Sequence, residues 1–179
     1  FDVYEAILEC EDILEEFGGH KYAAGLSMKK ENLNAFKIRF EKSVRDKITS
    51  ELLVPEQKID LNLSFNQIFT KEENRLLLPR LKRILSQFEP HGPGNMKPVF
   101  TSNNVFTTDA RVLKDAHLKL AMTQPRSDLV IEGIGFNMAE KMDTVASGLP
   151  FQVAYTLESN KWNGKETVQL NIKDIREMI

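Results

Sequence analysis

Among 179 residues there are only one cysteine, one tryptophan and three histidines. A single thiol, Cys10, excludes an internal disulfide framework and fits a reducing compartment, so a cytoplasmic protein is expected. No apolar run approaches the length of a membrane-spanning helix, and nothing resembles a signal peptide. The histidines, His20, His91 and His117, stand far apart and no aspartate-rich strand end accompanies them, so no metal site is expected within the chain. An excess of one charge is missing too. The formal net charge is −2, which excludes a strongly basic nucleic-acid coat. Residues 96–179 carry ten basic and ten acidic side chains, so any nucleic-acid binding there must rest on a local groove and on stacking.

What is present suffices for a core in one domain or two small ones. The chain opens on Phe1 directly into a helical pattern and is expected to be a piece of a longer protein. Val3, Ile7, Leu14 and Phe17 recur at near-helical spacing, which predicts a helix over 2–16 stopped by Gly18-Gly19. A second amphipathic helix is predicted from Lys30 to Lys47, with Leu33, Phe36, Phe40, Val44 and Ile48 on one face, and Pro55 marks a boundary. Beyond it, Ile59, Leu61, Leu63 and Phe65 alternate as in a half-buried strand. Thr70 and Glu73 form a capping box for a helix running to Phe88. The segment EPHGPGNMKP, with three prolines and two glycines, is a rigid connector.

After the connector come five strand signals: VFTTDARV, HLKLAM, LVIEGIGF, FQVAYTLE and TVQLNI. One helical stretch, NMAEKMDTVA, separates the third from the fourth, and its Met138 and Met142 are placed to plug an interior. Five strands with that single helix fit a small closed barrel of the oligonucleotide-binding kind, since closure removes exposed edges. The fold class expected is α+β.

The sharpest local motif is FGGHKYAAGLSM at 17–28. Gly18 and Gly19 leave backbone amides uncovered, Ala23 and Ala24 permit close packing, Gly25 ends the turn, and His20 stands beside them. Uncovered amides with an imidazole make a seat for a phosphate. The same residues also fit a plain helix cap followed by a surface histidine, and the motif alone leaves both readings open.

This motif resembles the GGH…AAG signature of the DHHA1 domain, the second domain of DHH-type phosphoesterases. LSQFEPHGPGNMKPVF at 85–100 is similar to a run in RecJ-type exonucleases, with His91 in place of the usual Phe and Met96 in place of the usual Pro. The tail LESNKWNGKETVQLNIKDI is similar to their closing hairpin, and HLKL matches a barrel strand. The resemblance implies a DHHA1 remainder over 1–55, a junction over 56–95 accessory to the following domain, and an OB domain over 96–179. It implies the C-terminal part of a hydrolase that removes nucleotides from the 5′ end of single-stranded DNA, with repair and recombination as its setting. Two divalent metals, manganese or magnesium, would belong to a DHH domain outside this chain, which by itself would be inactive. His20, with Gly18, Gly19 and Gly25, would meet a substrate phosphate and complete the active site. Two other readings share part of these motifs: a phosphoesterase of short oligonucleotides or nucleotide second messengers, and a single-strand-binding module without a hydrolytic partner.

Within the barrel, Trp162 lies in a turn signature between Lys161 and Lys165, followed by Asn163-Gly164. Its indole is placed either to stack a base, with the lysines on the backbone, or to fold back over the barrel end. Lys119, between Leu118 and Leu120, faces away from the core and is a phosphate-contact candidate. Arg111, Lys114 and Arg126 share that role at strand ends or loops. Phe106 is the remaining aromatic whose neighbours alternate polar.

Overall fold

A computed structural model describes residues 1–69, 78–162 and 164–178, with backbone alone at Lys161, Trp162 and Lys165. The chain divides into two compact units, Phe1–Glu56 and Gln57–Ile179.

The first unit departs from the predicted long helix. Helix α1 spans only Val3–Leu8, capped by the Asp2 side chain, which accepts the Glu5 N–H at 3.2 Å. A 3-10 turn at Glu11–Ile13 follows, and Leu14 is already extended. Glu9, Glu11, Asp12, Glu15 and Glu16 would crowd the negative end of a longer helix dipole, which disfavours carboxylates. Gly18 and Gly19 therefore do not cap a helix. They lie within strand β1 (Glu16–His20), which pairs antiparallel with β2 (Ala23–Ser27) as a two-stranded sheet. Ala23, Ala24 and Gly25, expected in a turn, are strand residues.

Helix α2 covers Leu33–Lys47, with Phe36 and Phe40 stacked at 5.4 Å. It is tied to the α1 segment by Lys47 to Glu9 at 2.6 Å and by the Asn32 amide donating to the Ile13 carbonyl at 2.9 Å. Ala6, Ile7 and Cys10 are buried here, and burial pushes the Cys10 thiol up from its ordinary value.

In the second unit the alternating segment yields only a two-residue strand, β3 (Leu61–Asn62), parallel to the start of β4 (Phe100–Leu113). Ile59 and Leu61 are exposed, whereas Leu63 and Phe65 are buried. The alternation breaks because Ser64 and Gln67 form a reciprocal capping box that turns Phe65 into helix α3 (Phe65–Ile68). The predicted Thr70/Glu73 box lies outside the described residues, and helix α4 is seen over Arg80–Ser86. In the connector, Gly92 and Asn95 exchange backbone hydrogen bonds at 3.0 and 2.9 Å around Pro93-Gly94, with Gly94 at φ 82°. The Asn95 amide also donates to the Phe88 and Pro90 carbonyls, so the run is a turn tied at several points. Lys97 then anchors its exit through both oxygens of Glu158, at 2.8 and 2.9 Å.

The five predicted strands are all present: β4, β5 (His117–Thr123), β6 (Ile131–Gly135), β7 (Phe151–Trp162) and β8 (Lys165–Glu177). Helix α5 (Met142–Ala146) sits between β6 and β7. The strand order β4-β5-β6-β8-β7 closes on itself because β4 also pairs with β7. One long strand serves both neighbours through irregularities at Ser102/Val105 and Thr107/Asp109, which bend it around the barrel. Leu118, Leu120, Met122, Val153, Tyr155, Leu170 and Ile172 fill the interior. Gly133 and Gly135 face inward: a Cβ on the first would meet Met122 Cε at 2.7 Å, and on the second Met138 Sδ at 2.7 Å. The glycines thus make room for the methionines, and Met138 and Met142 pack against the core.

Candidate nucleic-acid interface

The β1–β2 hairpin brings the motif residues together in a way the helix-cap prediction did not foresee. Gly18 pairs with Gly25, Gly19 with Ala24 and His20 with Ala23. Gly19, at φ 146°, is required by packing: a Cβ there would run into the Ala23 carbonyl and sit 2.5 Å from Ala24 Cα. Gly18 and Gly25 are different, because a Cβ on either would meet nothing within 4 Å. They leave a bare, exposed stretch of backbone beside His20. The His20 Nδ1 accepts the Tyr22 N–H at 3.3 Å, so a neutral imidazole carries its proton on Nε2, the remaining nitrogen. No helix begins within the hairpin, so a helix N-terminus adds nothing to a phosphate seat there. What remains is uncovered backbone and one imidazole donor, flanked by exposed Lys21 and Tyr22.

On the barrel, β4, β5 and β6 present an outer face whose register places Arg111 beside Lys119 and Lys119 beside Ile134. Lys119 faces outward as its alternation predicts. It is not free, however: its Nζ lies 3.0 Å from Glu132 Oε2. At the β4–β5 turn, Lys114 and Asp115 both take left-handed backbone, φ 52° and 54°, the pattern of a tight hairpin connection. Next to this turn, His117 and Phe136 meet edge to face with centroids 5.3 Å apart. The Asn137 N–H donates to His117 Nδ1 at 3.1 Å, which again leaves Nε2 to donate outward. Phe136 is 52% exposed, a large aromatic surface without a core role.

Phe136 and His117 were not singled out from the sequence, although the signal was there. Glu132 must face solvent, and period two from Glu132 carries Ile134 and Phe136 to the same face. Phe106 is half-buried and offers less surface. Asn163 lies outside the described residues, as do the side chains of Lys161, Trp162 and Lys165. The backbone of Lys161, Trp162 and Lys165 lies at the end of the β7–β8 ladder, whose pairing runs to Trp162 and Lys165. Arg126 sits in the loop after β5, at φ 61°. Among the described residues no three His, Cys, Asp or Glu side chains converge to hold a metal ion. No described helix is long and apolar enough to cross a membrane.

This geometry matches known proteins over almost all of its length. The family model described as the RecJ OB domain matches residues 59–174. The single-stranded-DNA-specific exonuclease RecJ of Bacillus subtilis is 28% identical over 176 residues, covering 97% of this chain and 21% of that protein. Its counterpart from Thermus thermophilus is also 28% identical, over 97% of this chain and 23% of that protein. The crystal structure of Thermus thermophilus RecJ in complex with Mn2+ superposes at a TM-score of 0.70 and 27% identity, over 98% of this chain and 24% of that one. A second structure of that protein, in complex with Mg2+, gives a TM-score of 0.69. The chain therefore spans about a quarter or less of the relatives it matches. The matched segment begins before the connector and takes in β3 and α3, which pack with the barrel rather than standing apart from it. By fold, strand order and family match, this chain belongs to the RecJ OB domain family.

Proposed function

We propose that this chain is the substrate-guiding C-terminal region of a single-stranded-DNA-specific exonuclease that digests from the 5′ end. Hydrolysis would take place in a DHH domain of the longer protein, with manganese or magnesium supplying the activated water, and the cell would use it in cytoplasmic DNA repair and recombination. The observation that carries this reading is the match, over 97–98% of the chain, to proteins named as RecJ exonucleases. In this reading residues 1–55 are a DHHA1 remainder. His20 Nε2 and the bare backbone at Gly18 and Gly25 meet a phosphate of the substrate, and the barrel binds the single strand.

On the barrel, the β4–β5–β6 face supplies the parts that sequence-tolerant binding needs. Phe136 offers a face for a base, His117 Nε2 a donor, and Arg111, Lys114 and Lys119 the phosphate contacts. Trp162, Lys161, Asn163 and Lys165, the turn motif singled out from the sequence, would add a second stacking ring and further phosphate contacts. With so few cations the binding is weak and salt-dependent.

The test is direct. Labelled oligothymidine titrated into the 179-residue chain should bind, with duplex of the same length binding far less. Incubation with Mn2+ should release no nucleotide. Equal affinity for duplex would overturn the single-strand role of the barrel. Metal-dependent nucleotide release, lost on mutating a residue of the chain, would overturn the assignment of hydrolysis to another domain.

A further inference from the structure

A second polar cleft lies beyond the far end of β5. It is an open hollow of about 370 Å³ between the loop after β5, the irregular stretch of β4 and the start of α3. Its walls are Asn66, Asn103, Asn104, Gln124, Arg126 and serines 64 and 127 with Pro125. The size falls within the roughly 300–1,000 Å³ of small-molecule sites. Its composition is unusual for a surface that is otherwise evenly charged. Arg126 is the one charged side chain among its lining residues, which otherwise offer four amides, two hydroxyls and a proline.

Three of the four amide residues, Gln124, Asn103 and Asn66, are held by hydrogen bonds before any ligand arrives. Gln124 Oε1 accepts the Phe65 N–H at 2.7 Å, and its Nε2 donates to the Asn103 carbonyl at 2.6 Å. Gln152 Nε2 donates to Asn103 Oδ1 at 2.7 Å, and Ser127 Oγ donates to Asn66 Oδ1 at 2.9 Å. These bonds join four chain segments, at 65–66, 103, 124–127 and 152, and use the acceptors of Asn66 and Asn103. Their Nδ2 donors, the Asn104 side-chain amide and the Arg126 guanidinium have no hydrogen-bond partner among the described residues; the Asn104 backbone N–H donates to Met178 Sδ at 3.1 Å. Asn104 and Arg126 are also held in left-handed backbone, φ 53° and 61°. The cleft is thus a set of unused N–H donors around one cation, and it calls for a ligand rich in acceptors with about one negative charge.

From this we propose that the cleft binds one nucleotide unit, with its phosphate on Arg126 and its base edge on the asparagine amides. One phosphodiester charge and neutral carbonyl acceptors match one guanidinium and several amides. An acidic peptide would bring several carboxylates to a single cation and fits less well. The source is either a residue of a bound strand or a free mononucleotide. In the first case the site deepens the reading of the barrel as a single-strand guide and rests on it. A strand leaving the His117–Phe136 end would run along β5, past Lys119, and reach Arg126 after about 20 Å, the length of a seven-residue strand.

The experiment is amide-resolved NMR of the 179-residue chain, titrated separately with an oligothymidine, thymidine 5′-monophosphate, inorganic phosphate and an acidic peptide. Two variants accompany it, Arg126→Gln and Asn104→Asp; the second adds a carboxylate to the cleft and suits left-handed backbone. Signals of Asn66, Asn103, Asn104, Gln124 and Arg126 should move with the oligonucleotide or the mononucleotide, and whichever moves them identifies the source. Each variant should weaken that binding roughly tenfold, as loss of one charge-assisted contact does, at unchanged melting midpoint. If the oligonucleotide shifts the β5–β6 face and neither nucleotide ligand shifts the cleft, the cleft proposal fails while the barrel reading stands. If the cleft responds to mononucleotide while the β5–β6 face stays silent to the oligonucleotide, the cleft proposal is upheld and the barrel reading fails. Inorganic phosphate or acidic peptide binding there as tightly as the nucleotide would overturn the proposal.

Discussion

Lys119 and Glu132 form an ion pair across the β5–β6 ladder, Nζ to Oε2 3.0 Å, on the face proposed to carry single-stranded DNA. The pair neutralises the cation best placed at the middle of that face. A phosphate binding Lys119 must compete with a carboxylate already in contact. Glu132→Gln should therefore tighten oligothymidine binding and steepen its salt dependence by about 0.7 in the log–log slope, one added phosphate contact on a single strand. Lys119→Gln should weaken binding and flatten the slope. Affinities at two or more salt concentrations decide it; no change in slope for Glu132→Gln would remove Lys119 from the path.

The glycines of the hairpin should separate by role. Gly19→Ala forces a side chain into the opposite strand at a φ of 146°, so it should cost well over about 1 kcal/mol of stability. Gly18→Ala and Gly25→Ala have open space and should leave the melting midpoint nearly unchanged. In the full-length protein both should nevertheless slow nucleotide release if bare backbone meets the phosphate. His20 is exposed, so His20→Ala should likewise preserve stability while lowering turnover roughly 10²-fold. Normal turnover per folded molecule in His20→Ala would reject the contact.

Two aromatic residues compete as the stacking platform. Phe136→Ala and Trp162→Ala should each weaken oligothymidine binding by about 1–3 kcal/mol if one base stacks on each. Phe136 is half-exposed and its ring meets that of His117 at the barrel corner, outside the core, so its loss should barely affect folding. An unchanged affinity for Phe136→Ala, with Trp162→Ala weakened, would place the platform at the β7–β8 tip.

The barrel contains a titrating reporter of its own. Tyr155 is fully buried, and burial pushes its phenol up from 10.0 to about 12, against a smaller opposing effect of its Ser102 hydrogen bond at 2.8 Å. Below pH 10 the phenol is protonated in both the folded and the unfolded chain, and its contribution is complete. As pH rises from 10 towards 12 the unfolded chain loses the proton first, so folding stability should fall through that window. Tyr155→Phe should be less stable at neutral pH by about 1 kcal/mol, since one buried hydrogen bond is lost. It should also decline less steeply under alkali. Denaturant unfolding of both proteins from about pH 8 to 12 measures the difference; parallel curves would contradict the raised phenol.

The barrel was legible in the sequence because its information is local. Alternation in HLKLAM and FQVAYTLE sets which side chains enter the core, and a helix between the third and fourth strands limits the topology. The hairpin around Gly18-Gly19 was not legible, because a run such as Val3, Ile7, Leu14, Phe17 fits a helix as long as nothing else competes for it. The cross-strand pairing of Gly18 with Gly25 is such a competitor, and it exists only once the chain has turned at Lys21-Tyr22. Likewise Phe65 fits the alternation of KIDLNLSF, but the Ser64–Gln67 box and the space inside the barrel turned it into a helix. The sequence by itself determined the barrel's strand count, the place of the helix among those strands, and the outward aim of Lys119. Only the tertiary structure decided that Lys119 meets Glu132, that His117 and Phe136 share a corner, and that Asn66, Asn103 and Asn104 line one cleft with Arg126. Those relationships join residues on different elements, and pairing across space depends on register and closure, which no single segment encodes.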